Sequence, residues 1–267
     1  MTRRIIWSWL ALLSCLGSAM ANDVTPSVLN DLAPKGRVRA AINFGNPVLV
    51  QKDSAGGEPK GVSPDLAREL ARRLGKPVEF VAFNTAGKVF EAAKQDVWDI
   101  AFLAIDPVRA AEITFTAPYV IIEGTYIVPE NSALHTIEDV DRDGVRVAVG
   151  RASAYDLFLK RQLKHAKLIE AETSEASLDL FLKDHLEAAA GVRQPLDAFA
   201  KTRPNLRVMS GRFMAINQAM CIPRGRNEDA RFLRAFVEDA KASGFVAKSL
   251  AESGQKDVTV APASPPE

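Results

Sequence analysis

Gly61-Val-Ser-Pro-Asp-Leu-Ala-Arg-Glu-Leu-Ala-Arg-Arg-Leu-Gly75 reads as a helix with both ends marked. Ser63 can cap it, Pro64 suits its first position, and Asp65 faces the positive end of its dipole. Leu66, Leu70 and Leu74 recur at helical spacing, and Gly75 closes it. Pro77-Val-Glu-Phe-Val81 then reads as a strand and residues 88–94 as a short helix. Asp99-Ile-Ala-Phe-Leu-Ala-Ile105 is a continuous apolar run, the pattern of a strand buried on both faces.

The alternation extends in both directions. Residues 37–42 (RVRAAI) form a strand candidate. The segment 43–61, with Pro47, Gly56, Gly57 and Pro59, reads as loop. Strands are expected at 145–149, 168–171, 187–192, 206–209 and 219–222. Helices are expected at 154–163, 174–183, 196–201, 228–243 and 245–252. Repeated strand–helix units predict an α/β fold with mostly parallel sheets flanked by helices. They fall into two blocks, which suggests two lobes, and residues 124–129 look like the crossing. The expected division is lobe 1 at 37–125 plus 216–254 and lobe 2 at 129–212. Residues 22–36 are expected to lie on the surface as a polar leader and 255–267 to form a flexible tail.

The chain has 267 residues, 47% of them hydrophobic and 25% charged, which is ordinary globular composition. Lys+Arg number 34 against 33 Asp+Glu, so there is no overall charge to recruit nucleic acid or an anionic membrane. The cysteines are Cys15 and Cys221 and the histidines His135, His165 and His185, and no metal-ligand spacing emerges from them. The histidines fall in predicted loops or on polar helix faces, as solvent-facing groups. No cofactor-binding motif is apparent either: Asn84-Thr-Ala-Gly-Lys88 lacks the phosphate-loop pattern and reads as a turn opening a helix, with Thr85 facing a cleft.

Residues 1–21 have the order of a secretory signal. Arg3 and Arg4 precede the apolar run 5–13, and Ala19-Met20-Ala21 is a small-x-small cleavage site. A lipidated Cys15 after Leu13-Ser14 is the lesser alternative. Cleavage after Ala21 removes two arginines and no acid, leaves Cys221 as the one thiol, and predicts export to the periplasm with no intramolecular disulfide.

Four motifs in order resemble the bacterial periplasmic solute-binding proteins of family 3, the polar amino-acid receptors of ABC transporters. They are the Gly61–Gly75 helix, Trp98-Asp99-Ile100, Arg109 followed by Phe115-Thr-Ala-Pro-Tyr119, and the strand and turn leading through Gly150-Arg-Ala-Ser-Ala154. The resemblance covers nearly all of the mature chain. It implies a monomeric, two-lobed clamp, not an enzyme, that closes on a small carboxylate-bearing ligand and delivers it to ABC permease subunits. It further implies that Arg109 pairs with the ligand carboxylate, that Ser153 and backbone near Ala104 complete the anchor, and that Phe44 stacks on the ligand.

The residues lend these roles independent support. Arg109 follows a buried strand at the carboxyl end, where open α/β sheets bind ligands, and a guanidinium fork matches a carboxylate. Ser153 stands at a helix N-terminus. From spacing alone, Arg109 serves equally as a solvated turn residue or as a partner of Glu112. Ser153 is equally a plain helix cap, and Phe44 equally a core residue.

One stretch departs from the family. Amino-acid binders hold the α-ammonium with an acid just after a second-lobe strand, and here that place falls on Val192 and Arg193. Two readings follow: the ligand has no free α-ammonium or has a second acid group, with Arg109 and Arg193 gripping two anionic groups from opposite lobes, or Glu123 or Asp156 supplies the missing acid. Arg193 is equally a surface cation ending a strand. Asn217-Gln218 reads chiefly as a hydrogen-bonded hinge, with a ligand contact from its amide as the lesser alternative. Alternatives to transport are a periplasmic enzyme on the same clamp, of the cyclic-acid dehydratase type, and a sensory receptor.

Overall fold

The structure is a computed structural model that describes residues 24–52 and 56–265; the expected signal segment and Cys15 lie outside them. In chain order the elements begin with α1 (Pro26–Leu32), β1 (Val38–Asn43), α2 (Val62–Arg73), β2 (Val78–Phe83), α3 (Ala86–Glu91), β3 (Ile100–Ala104), α4 (Pro107–Ala110) and the long β4 (Ile113–Pro129). There follow β5 (Arg146–Gly150), α5 (Ala154–Gln162), β6 (Lys167–Ala171), α6 (Ser174–Lys183), β7 (Ala188–Val192), α7 (Arg193–Lys201) and β8 (Leu206–Val208). The chain ends with β9 (Met214–Pro223), α8 (Asn227–Ala242), α9 (Phe245–Glu252) and β10 (Thr259–Val260).

The strands form one mixed sheet in the order β2-β1-β3-β9-β4-β7-β5-β6, with β8 and β10 also pairing with β4. The outer strands are parallel in both halves, β1 with β2 and β3, and β5 with β6 and β7. The inner ladders of β4 with β9, β7, β8 and β10 are antiparallel. The parallel character expected from strand–helix alternation therefore holds outside the crossing, and β4 and β9 make the crossing. They stay paired from Ile113–Pro223 to Gly124–Met214, so the two lobes share continuous strands.

Apolar packing divides at the same place. In the first lobe, Leu66, Leu70, Phe236 and Val246 cover one sheet face, and Val89, Trp98 and Cys221 cover the other. In the second, Val147, Tyr155 and Leu159 lie on one face and Phe181, Leu186 and Leu196 on the other. Asp99, fully buried, accepts from the backbone N–H of Arg39 at 2.9 Å and from its guanidinium at 2.7 and 3.1 Å, pinning β3 to β1. Burial of a charge is tolerated only with such compensation.

Three expectations need correction. Ser63 does not cap α2: Gly61 holds the cap position at φ 113°, where a Cβ would lie 2.5 Å from the Leu49 carbonyl oxygen. Ser63 is then the second helical residue, and its buried hydroxyl meets the Tyr119 hydroxyl at 2.9 Å. The leader is not merely surface chain, because Thr25 caps α1 and Val28 and Leu32 are buried. Nor does the described part of the tail run free. Val258 and Ala261 are buried, Thr259 and Val260 pair with Ile121 and Val120, and the Ala261 N–H donates to the Tyr119 carbonyl at 3.1 Å.

Candidate functional site

A cleft between the lobes collects the carboxyl ends of six strands, the position at which α/β sheets present ligands. Asn43 and Asn46 come from the end of β1, Thr85 from β2, Ala104 from β3, Gly150, Arg151 and Ser153 from β5, Thr173 and Ser174 from β6, and Gly191 and Val192 from β7. Phe102, Ser63 and Gln218 form its floor on the first-lobe side, with Tyr155, Pro195 and Leu196 opposite. The space between the lobes, with the open solvent at its mouth counted in, is about 930 Å³.

Arg109 lies in the four-residue helix α4, whose Asp106 cap accepts from Val108 N–H at 2.9 Å. The short helix turns the Arg109 side chain back under β3, where it is 1% exposed. Its Nη1 donates to the Ala104 carbonyl at 3.1 Å, and Nη2 crosses to the second lobe to donate to the Ala152 carbonyl at 2.9 Å. Among the described residues no carboxylate forms an ion pair with it. Desolvation pulls its pKa down to about 10, with the negative charge of Asp106 opposing. A guanidinium held dry on carbonyl oxygens alone has donors and charge to spare for an anion.

Ser153 caps α5 by accepting from the Asp156 N–H at 3.1 Å, and its hydroxyl lies in the cleft lining. The cap and the turn before it are braced by Asp156, which is fully buried and accepts from the Ala152 N–H at 2.7 Å and from Lys160 at 3.0 Å. Thr85 caps α3 in the same manner, accepting from Lys88 N–H at 3.1 Å. Tyr155 donates to Ser174 Oγ at 2.7 Å, tying α5 to the start of α6.

Of the residues singled out from sequence, Arg109, Ser153, Ala104 and Thr85 line the cleft. Phe44 and Arg193 are not in its lining. Phe44 packs on the first-lobe core with the Lys52 ammonium 5.3 Å from its ring centre. Arg193 opens α7 but turns away from the cleft, bonding Glu123 at 2.8 Å and the carbonyls of Met209 and Gly211. Glu123 also takes Arg212 at 2.8 Å, and Arg193 ahead of Arg212 holds its carboxyl below the usual range. Neither Glu123 nor Asp156 reaches the cleft lining. Asn46, Ser63, Thr173, Ser174 and Gln218 do, and all but Ser63 and Gln218 could have been found by marking the polar residues just after each predicted strand.

Contacts across the cleft draw the lobes together. Asp106 of the first lobe pairs with Arg161 of the second at 2.7 Å, and Lys88 with Glu172 at 2.8 Å. Gly87 lies so close to the second lobe that a Cβ there would sit 2.7 Å from the Ala152 Cβ. Among the described residues no group of three or more His, Cys, Asp or Glu side chains is placed to hold a metal ion, and no helix is long and apolar enough to cross a membrane.

Solved structures share this architecture. A mutant of ArgBP from T. maritima superposes with a TM-score of 0.73 at 19% identity, covering 85% of this chain and 99% of that one. The cysteine-binding protein from Campylobacter jejuni gives 0.73 at 20% identity, covering 84% and 92%. AncCDT-1, an ancestral amino acid-binding protein and precursor of cyclohexadienyl dehydratase, gives 0.71 at 23% identity, covering 84% and 98%. No curated protein matches the chain by sequence. The model of the bacterial extracellular solute-binding proteins, family 3, matches residues 39–254, and the chain belongs to that family.

Proposed function

We propose that the protein is a periplasmic receptor that captures a small carboxylate-bearing solute by lobe closure and passes it to the membrane subunits of an ABC transporter. The observation that carries this reading is Arg109: a guanidinium 1% exposed, bonded to one carbonyl from each lobe and paired with no acid among the described residues. An anion placed there would bridge the lobes, so its binding energy would favour the closed arrangement. Two further features support capture over catalysis. The cleft lining contains no Asp, Glu, His, Lys or Cys among the described residues, so no side chain with a mid-range pKa faces the bound solute. Neighbouring structures carry names that record arginine, cysteine and lysine as ligands, which suits a carboxylate anchor. The apolar run and small-x-small site at residues 5–21 support export by a cleaved leader.

The test is a thermal-shift and calorimetric screen of the mature protein against small carboxylates, with Arg109→Gln in parallel. Binding by the parent and its loss of more than about a hundredfold in the variant is the expected result. Equal binding by both would refute the anchor, and unchanged recovery of the solute after incubation separates a receptor from an enzyme.

A further inference from the structure

We infer that the solute is a carboxylate without an ammonium group: an organic acid whose remaining polar groups are uncharged, such as hydroxyls or amides. This rests on the reading of Arg109 as the carboxylate anchor. A carboxylate gripped by Arg109 puts the substituents on its neighbouring carbon inside the same dry space. The charged side chains lining that space are Arg109 and Arg151, and both are cations. An ammonium there would face guanidinium charge without a counter-ion, and an unpaired buried charge is costly.

The acids around the cleft stand outside its lining, and each has a bond elsewhere. Asp156 gives one oxygen to the Ala152 N–H and Lys160, and its buried Oδ1, without a partner among the described residues, lies outside the cleft lining; Asp106 is held by the Val108 N–H and Arg161. Glu123 is shared by Arg193 and Arg212. Glu170 bonds Arg151 at 3.0 Å and also takes Lys160, and Glu172 bonds Lys88. What the cleft offers instead is a neutral acceptor. The Oδ1 of Asn46 is buried and has no hydrogen-bond partner among the described residues, which is the complement of a ligand O–H or amide N–H. At the mouth of β7 the lining residue is Val192, an apolar contact where a counter-ion would otherwise sit.

Matched pairs test this directly: 3-phenyllactate against phenylalanine, 2-hydroxyisocaproate against leucine and lactate against alanine, titrated calorimetrically into the mature protein at neutral pH. Each pair keeps its carboxylate and side chain and exchanges only hydroxyl for ammonium. The expected result is at least about thirtyfold tighter binding of the hydroxy acid in every pair that binds. An amino acid that binds as well as its hydroxy partner, or better, overturns the inference while leaving the carboxylate anchor standing. Silence from all six overturns the anchor itself and this inference with it. Val192→Asp, checked for folding by circular dichroism, supplies the missing counter-ion and should swing the preference toward the amino acids by about tenfold or more; if it does not fold, the parent protein's pairs decide alone.

Discussion

Replacing Gly87 with alanine should weaken solute capture and leave the fold slightly more stable. Gly87 is the second residue of α3, and the added methyl would lie 2.7 Å from the Ala152 Cβ, where ordinary contact begins at 3.4 Å. Neither atom is the end of a flexible chain. Ala152 stands at φ 54° with its N–H held by Asp156 at 2.7 Å, so it cannot retreat alone. The lobes must therefore part by about 1 Å at this point, close-packed surfaces having no slack to absorb the change. Ala152 is also the residue whose carbonyl receives Arg109 at 2.9 Å, and that bond stretches beyond useful range. A hydrogen bond from a charged donor contributes about 1.5–3 kcal/mol, so affinity should fall about ten- to a hundredfold. Within α3 itself, alanine gains up to about 1 kcal/mol over glycine. Calorimetric titration of the best carboxylate and thermal unfolding of the ligand-free protein read the two effects separately. An affinity within twofold of the parent would show that the closed contact at Gly87 plays no part in capture, and the reasoning would fail.

Other consequences can be measured independently. Arg161→Ala removes the interlobe pair with Asp106, and since Arg161 is partly exposed the expected loss of affinity is about three- to tenfold, shrinking at high salt. Deleting the chain after Gly254 strips β10 and the buried Val258 and Ala261, which should cost about 2–4 kcal/mol in urea unfolding; a mobile tail would cost nothing. Asp229 is fully buried, both its carboxyl oxygens lack hydrogen-bond partners among the described residues, and burial, then the charge of Asp31, pushes its pKa up to about 7. A carboxyl raised in the folded state binds protons that the unfolded chain has released, so stability falls as pH rises from about 4 to about 7. Asp229→Asn should therefore stabilise the protein above neutrality and lose that advantage near pH 4, as followed by thermal melts across the range.

The parts of this molecule that were legible in its sequence are those written locally. The periodic leucines of α2 and the unbroken apolar run of β3 each declare one element, and Arg109 and Ser153 each follow a strand closely enough to be assigned to its ligand-facing end. Residues whose roles depend on distant chain misled. Ser63-Pro64 is a good capping signature, but Gly61 adopts a backbone angle that starts the helix earlier, and the serine hydroxyl goes to Tyr119, 56 positions away. Arg193 looked available at a strand end until Glu123, 70 positions earlier, closed on it. The helix at Pro26–Leu32 buries only Val28 and Leu32, too few residues to show a period, and β10 is two residues long. Such elements are set by the surfaces that receive them and not by their own pattern.

The paired strands β4 and β9 have a bearing on how the chain acquires its shape. The second lobe is contiguous, leaving at Gly124 and returning at its direct partner Met214, so everything it needs is present once that stretch has been synthesised. The first lobe is split. Its sheet awaits β9, its apolar face awaits Phe236 and Val246, and Gln51 bonds the Ser253 carbonyl 202 residues downstream. Contacts of such long range are entropically slow to close. A nascent chain would thus carry a finished inner domain inside an unfinished outer one until its final helices emerged, and the ligand-gripping crevice would be the last thing assembled.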